Sequence, residues 1–239
     1  MGTRSRLQRA GALLRVRSPL GRECLAELLA VFVLMVITLA GAAQKVTSSN
    51  TKGDTVTACL AGALAVTVAI YAGGGVSGAH LNPAFSFALC LLGGFPWWKL
   101  PLFALLQTLA AFLASAAVFA VYYEAILHYG NGTLATSGPR ETASIFATYP
   151  ADYLSLSGGF LDQVLATALL LLGIQAIRDG RNKGAPAELE PLAVGLLVLA
   201  LEVSLGANCG CPMNPARDLG PRLFTFVAGW GREVFRWVR

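Results

Sequence analysis

The chain has 239 residues and a net charge of +5, yet only 13% of it is charged and 55% is hydrophobic. Soluble domains carry about 25% charged residues, so this composition, with a mean hydropathy of +0.62, excludes a disordered chain and argues against a soluble enzyme. Five cysteines are too few for a disulfide scaffold.

The chain opens on a basic segment, residues 1–22, in which Arg4, Arg6, Arg9, Arg15, Arg17 and Arg22 precede the first acid, Glu23. A long apolar run follows. It reads as a membrane anchor rather than a cleaved signal: the leader is long, Glu27 lies inside the run, and more apolar runs follow. A spanning helix needs about 20 mostly apolar residues. Five stretches qualify, at 24–44, 55–73, 100–122, 159–177 and 190–207. Two more apolar pieces, 82–92 and 214–228, are too short or too interrupted to cross and read as re-entrant. Arg178, Arg181 and Lys183 follow the fourth span, so that loop and the N-terminus are expected to be cytoplasmic. The 123–158 loop then lies outside, with the glycosylation sequon Asn131-Gly132-Thr133. The positive charge is thus mostly topology. No basic groove with interleaved aromatics suggests nucleic acid as a partner.

Each half of the chain holds one Asn-Pro-Ala: Asn82-Pro83-Ala84 and Asn214-Pro215-Ala216. Each precedes a short apolar piece. Each half also has a polar marker in its first span, Glu27 or Gln163, at a similar distance before its motif. A repeat with an odd number of spans per half is inverted in the membrane, and inverted repeats place their site near the midplane at broken helices. Asn is a favoured N-cap and Pro a favoured first helical residue. Each motif is therefore expected to start a short helix at membrane depth, where non-helical backbone must line a cavity or be buried in protein. Two such helix N-termini meeting head to head would repel cations, and the Asn amides would offer donors to a passing oxygen. One copy alone means little more than a capped turn; two copies in matching contexts are specific.

With these motifs on view, the chain resembles the aquaporin (major intrinsic protein) family from about residue 20 to 231. Gly78-Ala79-His80-Leu81-Asn82-Pro83-Ala84 and Gly210-Cys211-Pro212-Met213-Asn214-Pro215-Ala216-Arg217 resemble its two signature loops. Asp218 after Arg217, Asp162-Gln163 in the fourth span and Arg222 resemble its glycerol-conducting branch, the aquaglyceroporins. The resemblance implies an all-α membrane protein, an inverted-repeat helical bundle with two re-entrant half-helices, here with the sixth transmembrane helix missing. It implies a single channel domain over residues 23–239, with repeats at about 23–123 and 159–239, after the basic cytoplasmic 1–22. The basic tail from Trp230 to Arg239 is not apolar enough to cross.

The implied function is a passive channel for water and small uncharged polyols such as glycerol, with urea a further candidate, excluding ions and protons. No enzymatic activity, cofactor or metal is expected. Water and glycerol are the implied permeants and lipid the surroundings. A homotetrameric glycoprotein in the plasma membrane is the implied assembly. By the resemblance, carbonyls of Gly78, Ala79, His80, Gly210, Cys211 and Pro212 line the pore, while Asn82 and Asn214 donate at its midpoint. Gly62, Glu202, Cys211 and Arg217 form the selectivity filter, and Glu27 and Gln163 brace the two loops. Gly62 stands where strict water channels carry an aromatic ring, which leaves room for a linear polyol.

Glu202 departs from the pattern, since glycerol-conducting relatives have a small residue there. A carboxylate at the centre of a spanning helix costs about 2.5 kcal/mol or more. Two readings stand: Glu202 pairs with Arg217 and crowds the opening, or it turns to the outer mouth and stays solvated. The alternatives for function are accordingly a water-only or closed pore, or a truncated, non-conducting subunit that modulates homologous tetramers. His80 is either scaffold or a pH-sensitive constriction.

Overall fold

A computed structural model describes residues 15–236. The expectations for Arg4, Arg6 and Arg9, and for the last tail residues Trp237–Arg239, lie outside the described residues. Five helices are long and apolar enough to cross a membrane. They are α1 (Pro19–Thr47), α2 (Thr55–Ser77), α4 (Leu100–Tyr129), α5 (Leu156–Arg178) and α6 (Glu190–Cys209). Two short helices join them: α3 (Pro83–Leu91) lies between α2 and α4, and α7 (Pro215–Thr225) follows α6. No strand occurs among the described residues.

Local chemistry sets the helix starts. Ser18 caps α1 by accepting from Gly21 N, and Pro19 follows at the first helical position. Asp54 and Thr57 form a reciprocal capping box at the start of α2. Asn82 and Asn214 cap α3 and α7, each with Pro next. Every spanning helix outruns its apolar core at one or both ends. α1 begins five residues before the expected start because Ser18-Pro19 nucleates it ahead of the apolar run, and α4 continues to Tyr129.

The helices are apolar on most faces. Val121, Leu172, Leu105 and Leu196 point outward, fully or half exposed, as lipid-facing side chains do. The inner faces use small residues: Ala30, Ala65, Ala69, Ala110, Ala111, Ala114 and Ala166 are buried. Small residues let helix backbones approach closely where no water drives association. α1 packs on α2 and α4, α2 on α6, α4 on α7, and α5 on α6. At the α4–α7 crossing, a Cβ on Gly220 would stand 2.6 Å from Thr108 O and 2.7 Å from Ala111 Cβ, so only glycine fits.

The two halves run in parallel order: α1, α2, short α3 and α4 in the first, then α5, α6 and short α7 in the second. After α7 the chain does not form a long helix within the described residues. It takes a π turn over Phe226–Trp230, kinked at Gly229, then a 3-10 turn over Arg232–Phe235. This tail is tied down. Trp230 is buried and its Nε1 donates to Thr142 Oγ1 at 3.0 Å, while Val234 is fully buried.

Candidate functional site

The two Asn-Pro-Ala segments meet head to head. Asn82 Oδ1 accepts from Ala84 N at 2.8 Å, and Asn214 Oδ1 accepts from Ala216 N at 3.1 Å and Arg217 N at 3.2 Å. These bonds satisfy the first free N–H groups of each short helix. The amide nitrogens then cross between halves. Asn82 Nδ2 donates to Met213 O, and Asn214 Nδ2 donates to Leu81 O, both at 2.8 Å. A side-chain amide carries two N–H groups. One from each Asn therefore fixes the opposite loop, and one remains for a solute. Pro83 and Pro215 hold the first helical turns, with Ala84 and Ala216 next.

The backbone ahead of each Asn repeats in detail. Gly78, Ala79 and Leu81 have φ of 81°, 43° and 61°. Gly210, Cys211 and Met213 at the matching places have φ of 72°, 49° and 43°. Non-glycine residues in the left-handed region are strained and persist only where surroundings hold them.

A cavity of about 100 Å³ runs past both segments. Ala79, His80, Cys211 and Pro212 border it, together with Asn82, Asn214, Gly62, Glu202 and Arg217. Gly78 and Gly210 do not border it. They are the left-handed C-caps of α2 and α6, where the chain leaves the helix before reaching the cavity. Leu81 and Met213 take their place at its wall.

One brace is visible. Glu27 is fully buried and accepts from Leu81 N at 2.6 Å, Ser77 Oγ at 2.7 Å, Gln107 Nε2 at 2.8 Å and His80 N at 3.2 Å. Among the described residues Gln163 makes no matching bond to a backbone N–H of the second loop. It lies beside that loop, next to Cys209, Pro212 and Met213, but its Nε2 donates to Asp162 Oδ2 at 3.3 Å. The adjacent acid draws the amide, while Asp162 Oδ1 accepts from Asn208 Nδ2 at 3.0 Å and ties α5 to α6. His80 is buried against Phe95, Phe103 and Phe85, at ring separations of 4.5, 5.2 and 5.6 Å. Its Nδ1 lies 2.9 Å from Ser86 Oγ, which anchors the ring to α3.

At the other end, one of the two readings of Glu202, an ion pair with Arg217, is not realised among the described residues. Arg217 Nη1 instead donates to Phe146 O at 2.9 Å. Glu202 lies against Gly62 of the neighbouring α2, its two carboxyl oxygens 3.2 and 3.3 Å from the place of a missing Cβ. It is thus not paired with Arg217, and its carboxyl group borders the cavity beside Gly62. Cys211 is buried and its thiol faces Leu201 O at 3.6 Å.

The 130–155 segment is more than a surface loop. Ala143, Ile145, Phe146 and Ala147 are fully buried. Asp218 accepts from Thr148 Oγ1 at 2.9 Å and Thr148 N at 3.0 Å, and pairs with Arg222 at 2.8 Å. Arg222 in turn donates to Thr148 O and Val234 O and lies 4.6 Å from the Tyr149 ring centre. Asp218 and Arg222 therefore clamp this segment and the tail onto α7. Phe146, Thr148 and Tyr149 carried no sequence signal, because they belong to no repeat or motif. Arg178, read from the sequence only as a topology marker, also borders the cavity, 5.3 Å from the Phe85 ring centre, and pairs with Glu190 at 2.7 Å. Asn131 is exposed just beyond α4. All five cysteines are free.

Comparison with known proteins agrees with this geometry. The family model described as Major intrinsic protein matches residues 15–238. Human Aquaporin-10 is 64% identical over 222 residues, 93% of this chain and 74% of the relative. Human Aquaporin-9 is 50% identical over 221 residues, 92% of this chain and 75% of the relative. Among solved structures, the aquaglyceroporin from Plasmodium falciparum superposes with a TM-score of 0.80 at 32% identity, covering 91% of this chain and 85% of that one.

Proposed function

This chain belongs to the major intrinsic protein family, and we propose that it conducts water and glycerol passively while excluding ions and protons. Proteins of this family are channels and not enzymes. The chain is accordingly an integral, multi-pass membrane channel for water and small solutes, with an aquaporin-like all-helical fold. The observation that carries the finer reading is the reciprocal Asn82–Met213 and Asn214–Leu81 contact beside the cavity. It sets two helix N-termini head to head, with amide donors between them. Helix N-termini and Arg217 present positive potential along the path, which opposes cations. A neutral solute that both donates and accepts hydrogen bonds meets carbonyls and amides in turn.

In this reading Gly62, Glu202, Cys211 and Arg217 form the outer constriction. The carbonyls of Ala79, His80, Cys211 and Pro212 form the polar path, and Glu27 holds the inner loop. Residues 23–239 act as one channel domain in two repeats, with the N-terminus cytoplasmic. The assembly is a homotetramer in the plasma membrane, glycosylated at Asn131. Swelling of proteoliposomes holding the full chain, under water and then glycerol gradients, tests the reading. Flux of both above empty vesicles is the expected result. Water alone would replace it with a water-only pore. No flux would replace it with a closed pore or a non-conducting subunit, which co-expression with a conducting relative separates.

A further inference from the structure

The channel reading places Glu202 at the outer constriction but gives its carboxyl group no partner. Glu202 sits on α6 within a spanning segment, half-buried, where a charge is costly. It borders the cavity with Gly62, Cys211 and Arg217. Neither of its carboxyl oxygens receives a hydrogen bond from the described residues, and Oε2 is buried without any partner. A buried acceptor left without a donor is expensive, and in a pore wall water or a passing solute can supply that donor. Arg217, on the same cavity, spends one Nη1 hydrogen on Phe146 O. Its guanidinium has five N–H donors in all, so donors remain for a solute. The filter therefore carries an unspent acceptor and unspent donors that do not satisfy each other.

The space itself is also changed. Gly62 would by itself leave a recess in the wall of α2. The Glu202 carboxyl group fills that recess, at 3.2 and 3.3 Å from the Gly62 Cβ position. A bulky, flexible polyol loses that room. A flat, short solute does not need it.

We infer that Glu202 is a specificity-determining residue that tunes this filter toward planar amides such as urea and against glycerol. The inference rests on the channel reading above. The amide carbonyl accepts from Arg217 while its N–H groups donate to the Glu202 carboxyl oxygen. The carboxyl group retains an acceptor oxygen in either protonation state, so the pairing does not depend on its charge. Glycerol can satisfy both groups only by folding its hydroxyls around a carbon chain that the filled recess no longer admits.

The test uses proteoliposomes of the full chain, with water, urea and glycerol fluxes measured on the same vesicles. The expected result is a urea-to-glycerol permeability ratio that falls several-fold in Glu202→Gly, chiefly through faster glycerol. Glu202→Gln keeps the volume while halving the acceptor capacity. It is expected to keep glycerol slow and to lower urea flux, and it also covers a failure of the glycine variant to insert. A ratio unchanged in both variants, or urea no faster than glycerol in the unaltered chain, overturns the inference. Water flux separates the two levels. If the unaltered chain carries water but fails these comparisons, only the role of Glu202 falls. If it carries no water, the channel reading falls and takes this inference with it.

Discussion

Gln107 Nε2 donates to Glu27 Oε1 at 2.8 Å, and both residues are completely buried. The bond joins α4 to α1 and completes a set of four donors around one carboxyl group, two of them backbone N–H groups of the first loop. A carboxylate inside a membrane protein is tolerated when its oxygens are fully used. Glu27→Ala would leave at least the two backbone donors, His80 N and Leu81 N, unpaired at about 1–3 kcal/mol each. The expected outcome is a clear drop in melting temperature in detergent, with water flux lost. Glu27→Gln should fall between, since it keeps one acceptor oxygen but adds a donor facing donors. A Glu27→Ala protein that melts like the unaltered chain would refute the bracing role.

The Asn82 and Asn214 amides act as one unit, because each caps its own helix and fixes the other loop. Loss of an N-cap alone costs about 1 kcal/mol. The single Ala variants should each cost more than a cap, since each also frees a carbonyl of the opposite loop. The double variant should cost less than the sum of the two, by at least ~0.5 kcal/mol, as coupled neighbours do. Thermal unfolding of the four proteins in a double-mutant cycle measures the coupling. Additive losses would mean that the two loops hold independently.

Gly220 is a position where size alone decides. Its Cβ site is closed by Thr108 O, Ala111 Cβ and Phe112 N, two of them backbone atoms that cannot swing away. Gly220→Leu should push α7 off α4, at a cost of at least about 1–3 kcal/mol. At Gly206 on α6, nothing lies within 4 Å of the Cβ site. Gly206→Ala should be neutral or slightly stabilising, since Ala favours a helix over Gly by about 1 kcal/mol. Equal melting temperatures for the two variants would contradict the packing at α7.

Asn131 is exposed in the turn after α4, on the side of the 130–155 segment and the tail. If that side is extracellular, the chain made in mammalian cells should shift in mass on endoglycosidase treatment, and Asn131→Gln should abolish the shift. A chain that reaches the cell surface without any glycan at this site would count against the proposed orientation.

Legibility in the sequence followed from how local each feature is. Span number came from apolar length, and the short helices came from Asn-Pro, whose capping preference needs only its neighbours. Asp218 and Arg222 were found as a marker, but their clamp on Thr148 joins residues far apart in the chain. Gln163 looked like the partner of Glu27 by repeat position. It differs because Asp162 stands next to it, and because the described second half has no counterpart of Gln107 on a long helix.

By itself the sequence determined the membrane setting, the repeated order of elements and the place of both Asn-Pro-Ala helices, since hydrophobic length and helix capping are properties of short stretches. Only the tertiary structure decided the rest. Ala79, Leu81, Cys211 and Met213 have no propensity for positive φ, and they take it because the crossed Asn bonds and the Glu27 brace at the first loop hold the loops in place. Glu202 could have met Arg217 or the outer mouth, and nothing in its neighbours in sequence distinguishes these. It lies on Gly62 because α2 and α6 pack side by side, and because Phe146, brought in from a loop without a motif, has already engaged the arginine.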